Sequence, residues 1–194
     1  MKFIFYLVII IFLCGCISTG LPTPREFASI QGGKLSIVLL RIICEWKDGT
    51  PANPYHMANL TEMINVGIGS FLVGGKVEPV QHRYLSRVAR KQGWMYLILE
   101  PGTHHFVFST LKTGPLYRPR FKVNIPMNNQ IVYAGTLYIY CRGGWKDILG
   151  EKYCGDLNAS RMDVLNEEGA VVELANDYLS DFESPQTILM QRIY

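Results

Sequence analysis

Residues 94–108 read WMYLILEPGTHHFVF, and residues 120–141 read RFKVNIPMNNQIVYAGTLYIYC. Four apolar runs separated by turn residues are the pattern of antiparallel β-strands. Pro101-Gly102 favours a type II turn, in which glycine supplies the positive φ. A hairpin across it pairs Leu99 with His104, Leu97 with Phe106 and Met95 with Phe108. That register collects large apolar side chains on one face and leaves Trp94, Tyr96, Ile98, His105, Val107 and Ser109 on a half-polar one. Phe121, Val123 and Ile125 alternate with Lys122 and Asn124, as in a strand with one wet face. Asn128-Asn129 is a turn signal. Beyond it, Ile131, Tyr133, Gly135, Leu137 and Ile139 fall on one side, and Val132, Ala134, Thr136, Tyr138 and Tyr140 on the other. Both sides are apolar enough for an inner strand.

Upstream, Lys34 to Cys44 is rich in β-branched and aliphatic residues and has one internal charge, Arg41. It reads as a central strand buried on both faces. Lys47-Asp48-Gly49 and Pro51 break it, and Ala52 to Thr61 reads as a long loop. Met63 to Val73 returns to strand character, with Gly67 and Gly69 marking a bulge or a close backbone approach. Ser86 to Gln92 is a short helix with Ser86 as its cap and Gly93 at the C′ position; its cations, Arg87, Arg90 and Lys91, suit the helix dipole.

Downstream of Cys141 the text turns at Arg142-Gly143-Gly144-Trp145. A helix is predicted over about 166–183, with Asn166 as cap, Glu167 and Glu168 in its first turn, and Val171, Leu174, Ala175 and Leu179 at helical spacing. Pro185 ends it, and Thr187 to Tyr194 is an edge strand or tail. No solenoid-length repeat is present. The expected fold is mainly β: an antiparallel β-sandwich over 34–194 with the C-terminal helix packed on it.

The N-terminus belongs to a different class of signal. Lys2 precedes an apolar run from Phe3 to Leu13, the length of a secretory leader's h-region and short of the ~20 apolar residues of a spanning helix. It ends in Leu13-Cys14-Gly15-Cys16, which resembles the lipobox of bacterial lipoproteins. The resemblance implies a signal peptide over 1–15, cleavage after Gly15, and lipid on the Cys16 thiol with acyl chains such as palmitate. Two or three chains, at about 0.8 kcal/mol per buried CH₂, hold a protein on a membrane where one is marginal. Ile17 rather than Asp follows the cysteine, which in a two-membrane cell implies the outer membrane, facing the periplasm. Residues 16–33 then form the lipidated N-terminus and a tether. Of 19 cations, loss of Lys2 leaves 18 against 16 acids, a net charge of +2. That gives no electrostatic basis for binding nucleic acid.

A second likeness lies in the strands. Gly93-Trp94-Met95-Tyr96-Leu97, Leu99-Glu100-Pro101-Gly102-Thr103-His104-His105-Phe106 and the later Phe121 to Pro126 and Ile131 to Leu137 resemble the PEGA-like or transthyretin-like modules of small bacterial lipoproteins. The resemblance covers Leu35 to Tyr140 and implies a β-sandwich with a binding or accessory role, with no catalytic residues.

Chemistry-bearing motifs are sparse. His104 and His105 are adjacent, so on a strand they face opposite sides and cannot chelate one ion together; with His56 and His82 isolated, no metal site and no cofactor beyond the lipid on Cys16 is expected. No nucleophile motif and no phosphate-binding loop is present. Trp94, Tyr138, Tyr140 and Trp145, with Tyr117, are candidates for a platform that takes sugar or peptide, against cross-strand packing as their competing role. An export destination permits disulfides. With Cys16 lipidated, Cys44, Cys141 and Cys154 allow one pair, and Cys141 with Cys154 is the expected one because Cys44 lies at the end of a buried strand. Cys44 with Cys141 or Cys154, or three reduced thiols, are the alternatives. The function expected is a non-enzymatic, lipid-anchored envelope module contacting envelope proteins or cell-wall polymer; the alternative is a carbohydrate- or peptidoglycan-active enzyme with a loop-built site.

Overall fold

The computed structural model describes residues 20–52, 64–69, 77–79, 82–110, 120–142, 144–146, 152–154 and 160–193. The lipobox and the loop expected over Ala52 to Thr61 therefore lie outside the described residues, apart from Ala52 itself. Among the described residues the fold is mainly β, with two large sheets, mostly antiparallel, and a few short helices.

The first sheet is built on two long strands, β1 (Ser36–Trp46) and β8 (Ile131–Cys141). They run parallel, from Ile37 opposite Ile131 to Trp46 opposite Cys141. On its other edge β1 pairs antiparallel with β2 (Pro51–Ala52) and β5 (Trp94–Leu99). The outer edge of β8 holds β11 (Arg161–Leu165), antiparallel, and β12 (Gln186–Thr187), parallel. The second sheet is wholly antiparallel, in the order β13 (Gln191–Ile193), β7 (Arg120–Ile125), β6 (Gly102–Thr110), β3 (Ile64–Gly69) and β4 (Val77–Pro79). A small separate hairpin joins β9 (Gly144–Lys146) to β10 (Lys152–Cys154).

The expected hairpin across Pro101-Gly102 does not form. β5 lies in the first sheet and β6 in the second, so the turn carries the chain from one sheet to the other. Backbone pairing explains why. β5 is held by β1 on one side and by a bridge on the other, where Arg83 and Tyr96 exchange N–H···O bonds of 2.9 Å. β6 is likewise held between β3 and β7. Each strand is thus held by partners other than its neighbour in the chain. The apolar face expected of these two strands is nevertheless buried where it is described. Met95, Leu97, Leu99 and Phe106 are buried in one cluster with Val38 and Leu40 of β1 and Phe121 and Val123 of β7.

A second cluster covers part of the first sheet's opposite face. Ile37, Leu39, Trp94, Tyr96, Ile131 and Tyr133 pack there against three helices. Helix α1 (Pro24–Gln31) contributes Ile30, α2 (Arg87–Lys91) contributes Ala89, and α3 (Glu168–Tyr178) contributes Val171 and Leu174. The face of Trp94 and Tyr96 is thus buried rather than half polar. Part of the stretch read as tether is α1: Thr23 and Glu26 form a reciprocal capping box, and Pro24 occupies the first turn, where its missing N–H costs nothing. Ser86 caps α2 as expected, accepting from Ala89 N–H at 3.0 Å. The cap of α3 is Glu167, not Asn166, and its side chain makes no capping bond.

The alternation expected along β8 is broken once. Between Leu39 and Arg41 of β1 the register shifts, with Tyr133 opposite Leu39 but Thr136 opposite Arg41. The extra residue is accommodated at Gly135, whose φ is +106°. This is a β-bulge of the kind glycine allows. It moves Leu137, Ile139 and Cys141 onto the same side as Val132 and Ala134, and puts Thr136, Tyr138 and Tyr140 on the side of Tyr133.

Candidate functional site

The bulge and the register define a second region on the helix-bearing face. Going along β1, Ile37 and Leu39 are fully buried in the helix-packed cluster, whereas Arg41, Ile43 and Glu45 are only half-buried. Arg41 stands beside Thr136, Ile43 beside Tyr138 and Glu45 beside Tyr140. On the far side of β8, Leu165 stands beside Thr136, Asp163 beside Tyr138 and Arg161 beside Tyr140. Side chains on one face of a sheet repeat every second residue, so these nine share a patch three strands wide.

Glu167 closes one end of the patch. Its backbone N–H donates to the Tyr133 hydroxyl at 3.2 Å, that hydroxyl lies 2.9 Å from Thr136 Oγ1, and Thr136 Oγ1 donates to Glu167 Oε2 at 2.5 Å. The same carboxylate oxygen takes Arg41 Nη1 at 3.0 Å. Arg41 Nε in turn donates to the Gln92 carbonyl at 2.8 Å, and its guanidinium lies 5.3 Å from the Trp94 ring centroid. Burial is the leading cause that pushes the Tyr133 phenol above its ordinary pKa. The network satisfies polar groups that sit beside a buried cluster, where an unpaired one is costly.

The other end of the patch is aromatic and charged. Tyr138 and Tyr140 have ring centroids 4.7 Å apart. The Tyr138 hydroxyl donates to Glu45 Oε2, and that bond is the leading cause that pushes its pKa up to about 12. The Arg161 guanidinium lies 5.0 Å from the Tyr140 ring centroid and pairs with Asp163 at 2.6 Å. Its side chain is 73% exposed, so the pair adds little stability but leaves donors facing solvent.

Of the four aromatic candidates, the structure brings Tyr138 and Tyr140 together. Trp94 is 3% exposed and packs 6.0 Å from Tyr133, so it does not reach the patch surface. Trp145 is on β9, and its side chain lies outside the described residues, as does Tyr117. Sequence reasoning missed Glu45, Arg161, Asp163 and Glu167. Arg41 carried a readable signal, since it is the one charge inside a strand that otherwise reads as buried.

Cys44 is buried and free, and burial pushes its thiol up to about 12. Cys141 is buried and is not a free thiol. The side chain of Cys154 lies outside the described residues, but its backbone stands opposite Gly144 in the β9–β10 hairpin. Lys152 ties that hairpin to the end of β1, with Nζ 2.6 Å from Asp48 Oδ2 and 4.8 Å from the Trp46 ring centroid.

Elsewhere, an open groove on the second sheet is lined by Thr103, Lys122, Asn124, Ile188, Leu189 and Gln191. Among the described residues, no group of three or more His, Cys, Asp or Glu is placed to hold a metal ion. Among them too, no helix is long and apolar enough to cross a membrane. No family model matches the chain, and comparison with curated proteins and with solved structures returned no significant match.

Proposed function

We propose that this chain is a lipid-anchored envelope protein whose β-sandwich domain, with the late helix packed on it, is a binding module without catalysis. Cys16 carries the anchor, and in a two-membrane cell the domain faces the periplasm from the outer membrane. The observation that supports a binding role is the patch itself. Helices cover the half of the sheet face around Leu39 and Tyr133, while Tyr138, Tyr140, Arg161 and Asp163 stand on the half beyond Gly135. Aromatic faces beside fixed hydrogen-bonding groups suit a saccharide or peptide strand of a cell-wall polymer. The carboxylates at the patch are all engaged, Glu45 by Tyr138, Asp163 by Arg161 and Glu167 by Thr136 and Arg41, so the enzyme reading gains no support from them.

The test is co-sedimentation of the protein with isolated cell-wall polymer. The parent should pellet with the polymer, and Tyr140→Ala combined with Arg161→Ala should stay in the supernatant with an unchanged melting temperature. Equal pelleting of parent and variant removes the patch from the reading. The anchor is tested separately: Cys16→Ser should lose acyl labelling and leave the membrane fraction.

A further inference from the structure

We infer that the pole of the domain around Gly20 is its membrane-facing surface, resting on bilayer headgroups through Leu21, Val88 and the cations Arg25, Arg87 and Lys91. The inference builds on the lipid anchor at Cys16. Gly20 is fixed to the domain at both backbone groups: its N–H donates to the Tyr84 carbonyl at 2.9 Å, and its carbonyl accepts from the Tyr96 hydroxyl at 2.6 Å. Helix α1, which begins at Pro24, is fixed in turn. Glu26 accepts two bonds from Arg83, at 2.8 and 2.7 Å, and Phe27 lies 4.6 Å from Phe182. Three residues separate Cys16 from Gly20, so four peptide steps span at most roughly 14 Å of extended chain. The domain therefore has short leeway from the lipid, and the surface nearest Gly20 faces the bilayer.

Exposed apolar and cationic residues lie close in the chain to these fixed points. Leu21, next to Gly20, is 58% exposed, and Val88, in the helix that follows Tyr84, is 60% exposed. Val88 and Lys91 are three apart on α2, and Arg87 and Lys91 four apart, so they are neighbours on its surface; Arg87, Lys91 and Arg25 are all exposed. Ala89 and Arg90 face inward. Ser86 Oγ donates to the Tyr178 hydroxyl at 3.0 Å, so α3, which carries the exposed Asp177, is tied to the start of α2. The pole is thus not uniformly basic, and contact relies on the apolar pair as well as on charge. Each cation at an anionic surface is worth about fivefold in partitioning.

The full lipidated protein, carrying a nitroxide at Val88→Cys or, for comparison, at Asn124→Cys, is reconstituted on vesicles of phosphatidylethanolamine and phosphatidylglycerol. Flotation reads the anchor, and the label's accessibility to an aqueous relaxant reads the contact. The inference expects flotation of both, with the label at position 88 shielded and that at 124 open to water. Flotation with both labels equally open overturns the membrane-facing pole and leaves the anchor standing. Failure to float overturns the anchor, and the inference with it. Arg87→Glu with Lys91→Glu should lower shielding at position 88 on anionic vesicles; unchanged shielding removes the cations from the contact.

Discussion

Gly93 lies with its backbone directly against that of Ile42. Ile42 N–H donates to the Gly93 carbonyl at 2.9 Å, and a Cβ on Gly93 would stand 2.1 Å from the Ile42 carbonyl oxygen. With φ at +88°, Gly93 ends α2 and starts β5 in the same step. Gly93→Ala should therefore destabilise the domain by at least about 1–3 kcal/mol from the backbone conformation, with the clash added to it. Chemical denaturation of parent and variant measures this, and a loss under 0.5 kcal/mol, roughly the level of an ordinary surface change, would contradict the packing described.

Leu97 and Phe106 are both fully buried in the cluster shared by the two sheets. Truncating either to Ala should cost about 2–5 kcal/mol. Because they sit on different sheets, the two changes also report on the shared core. If they couple through it, the double variant should depart from the sum of the singles, by about 0.5–3 kcal/mol. Strict additivity would mean that the two sites relax independently.

Tyr138 gives a pH signature. Its folded pKa, about 12, lies above the unfolded value of 10.0 because its hydroxyl is held by Glu45. The folded state then binds the proton more tightly, so this contribution is complete below pH 10 and is lost as pH rises towards 12. Tyr138→Phe should be less stable than the parent at neutral pH and should show a shallower decline between pH 10 and 12. Parallel declines for the two proteins would show that Tyr138 titrates normally.

Cysteine pairing is tested by mapping peptides from the oxidised protein. The expected bridge joins Cys141 to Cys154, since β9 follows Cys141 closely and pairs Cys154 with Gly144. Such a loop of about a dozen residues is worth about 3 kcal/mol. Cys44 should resist thiol reagents in the native protein and react on unfolding, because its thiol is buried and its pKa is held up by that burial. A peptide linking Cys44 to either partner would show the assignment to be wrong.

Local signals in the sequence specify their own elements, whereas strand pairings depend on residues far away in the chain. The β-branched run at Ile37 to Leu40, the alternation from Phe121 to Ile125 and the Ser86 cap each depend on neighbours a few residues away, and each is where it was expected. Pro101-Gly102 reads equally well as a hairpin turn or as a passage between sheets. Only the occupancy of the β5 and β6 edges decides it. Gly135 inside a strand is a general sign of a bulge or a close backbone approach, but which pairing shifts is fixed only when Leu39 and Arg41 are laid beside it. For the same reason Tyr138 and Tyr140 could be named from sequence, while Glu45 and Arg161 could not, since they reach the tyrosines through two separate strand pairings.

The parallel pairing of β1 with β8 also bears on how the domain is assembled. The chain of β3, β4, β6 and β7, the bulk of the second sheet, is inserted between the two partners. Ile37 to Leu40, apolar on both sides, therefore has no β8 beside it until all of that chain has been delivered. Contacts so distant in sequence are slow to form, and unpaired apolar strands in waiting chains are prone to aggregate. A polypeptide delivered N-terminus first can pair one edge of β1 with β5, but the other edge waits for β8 and stays open for the longest time.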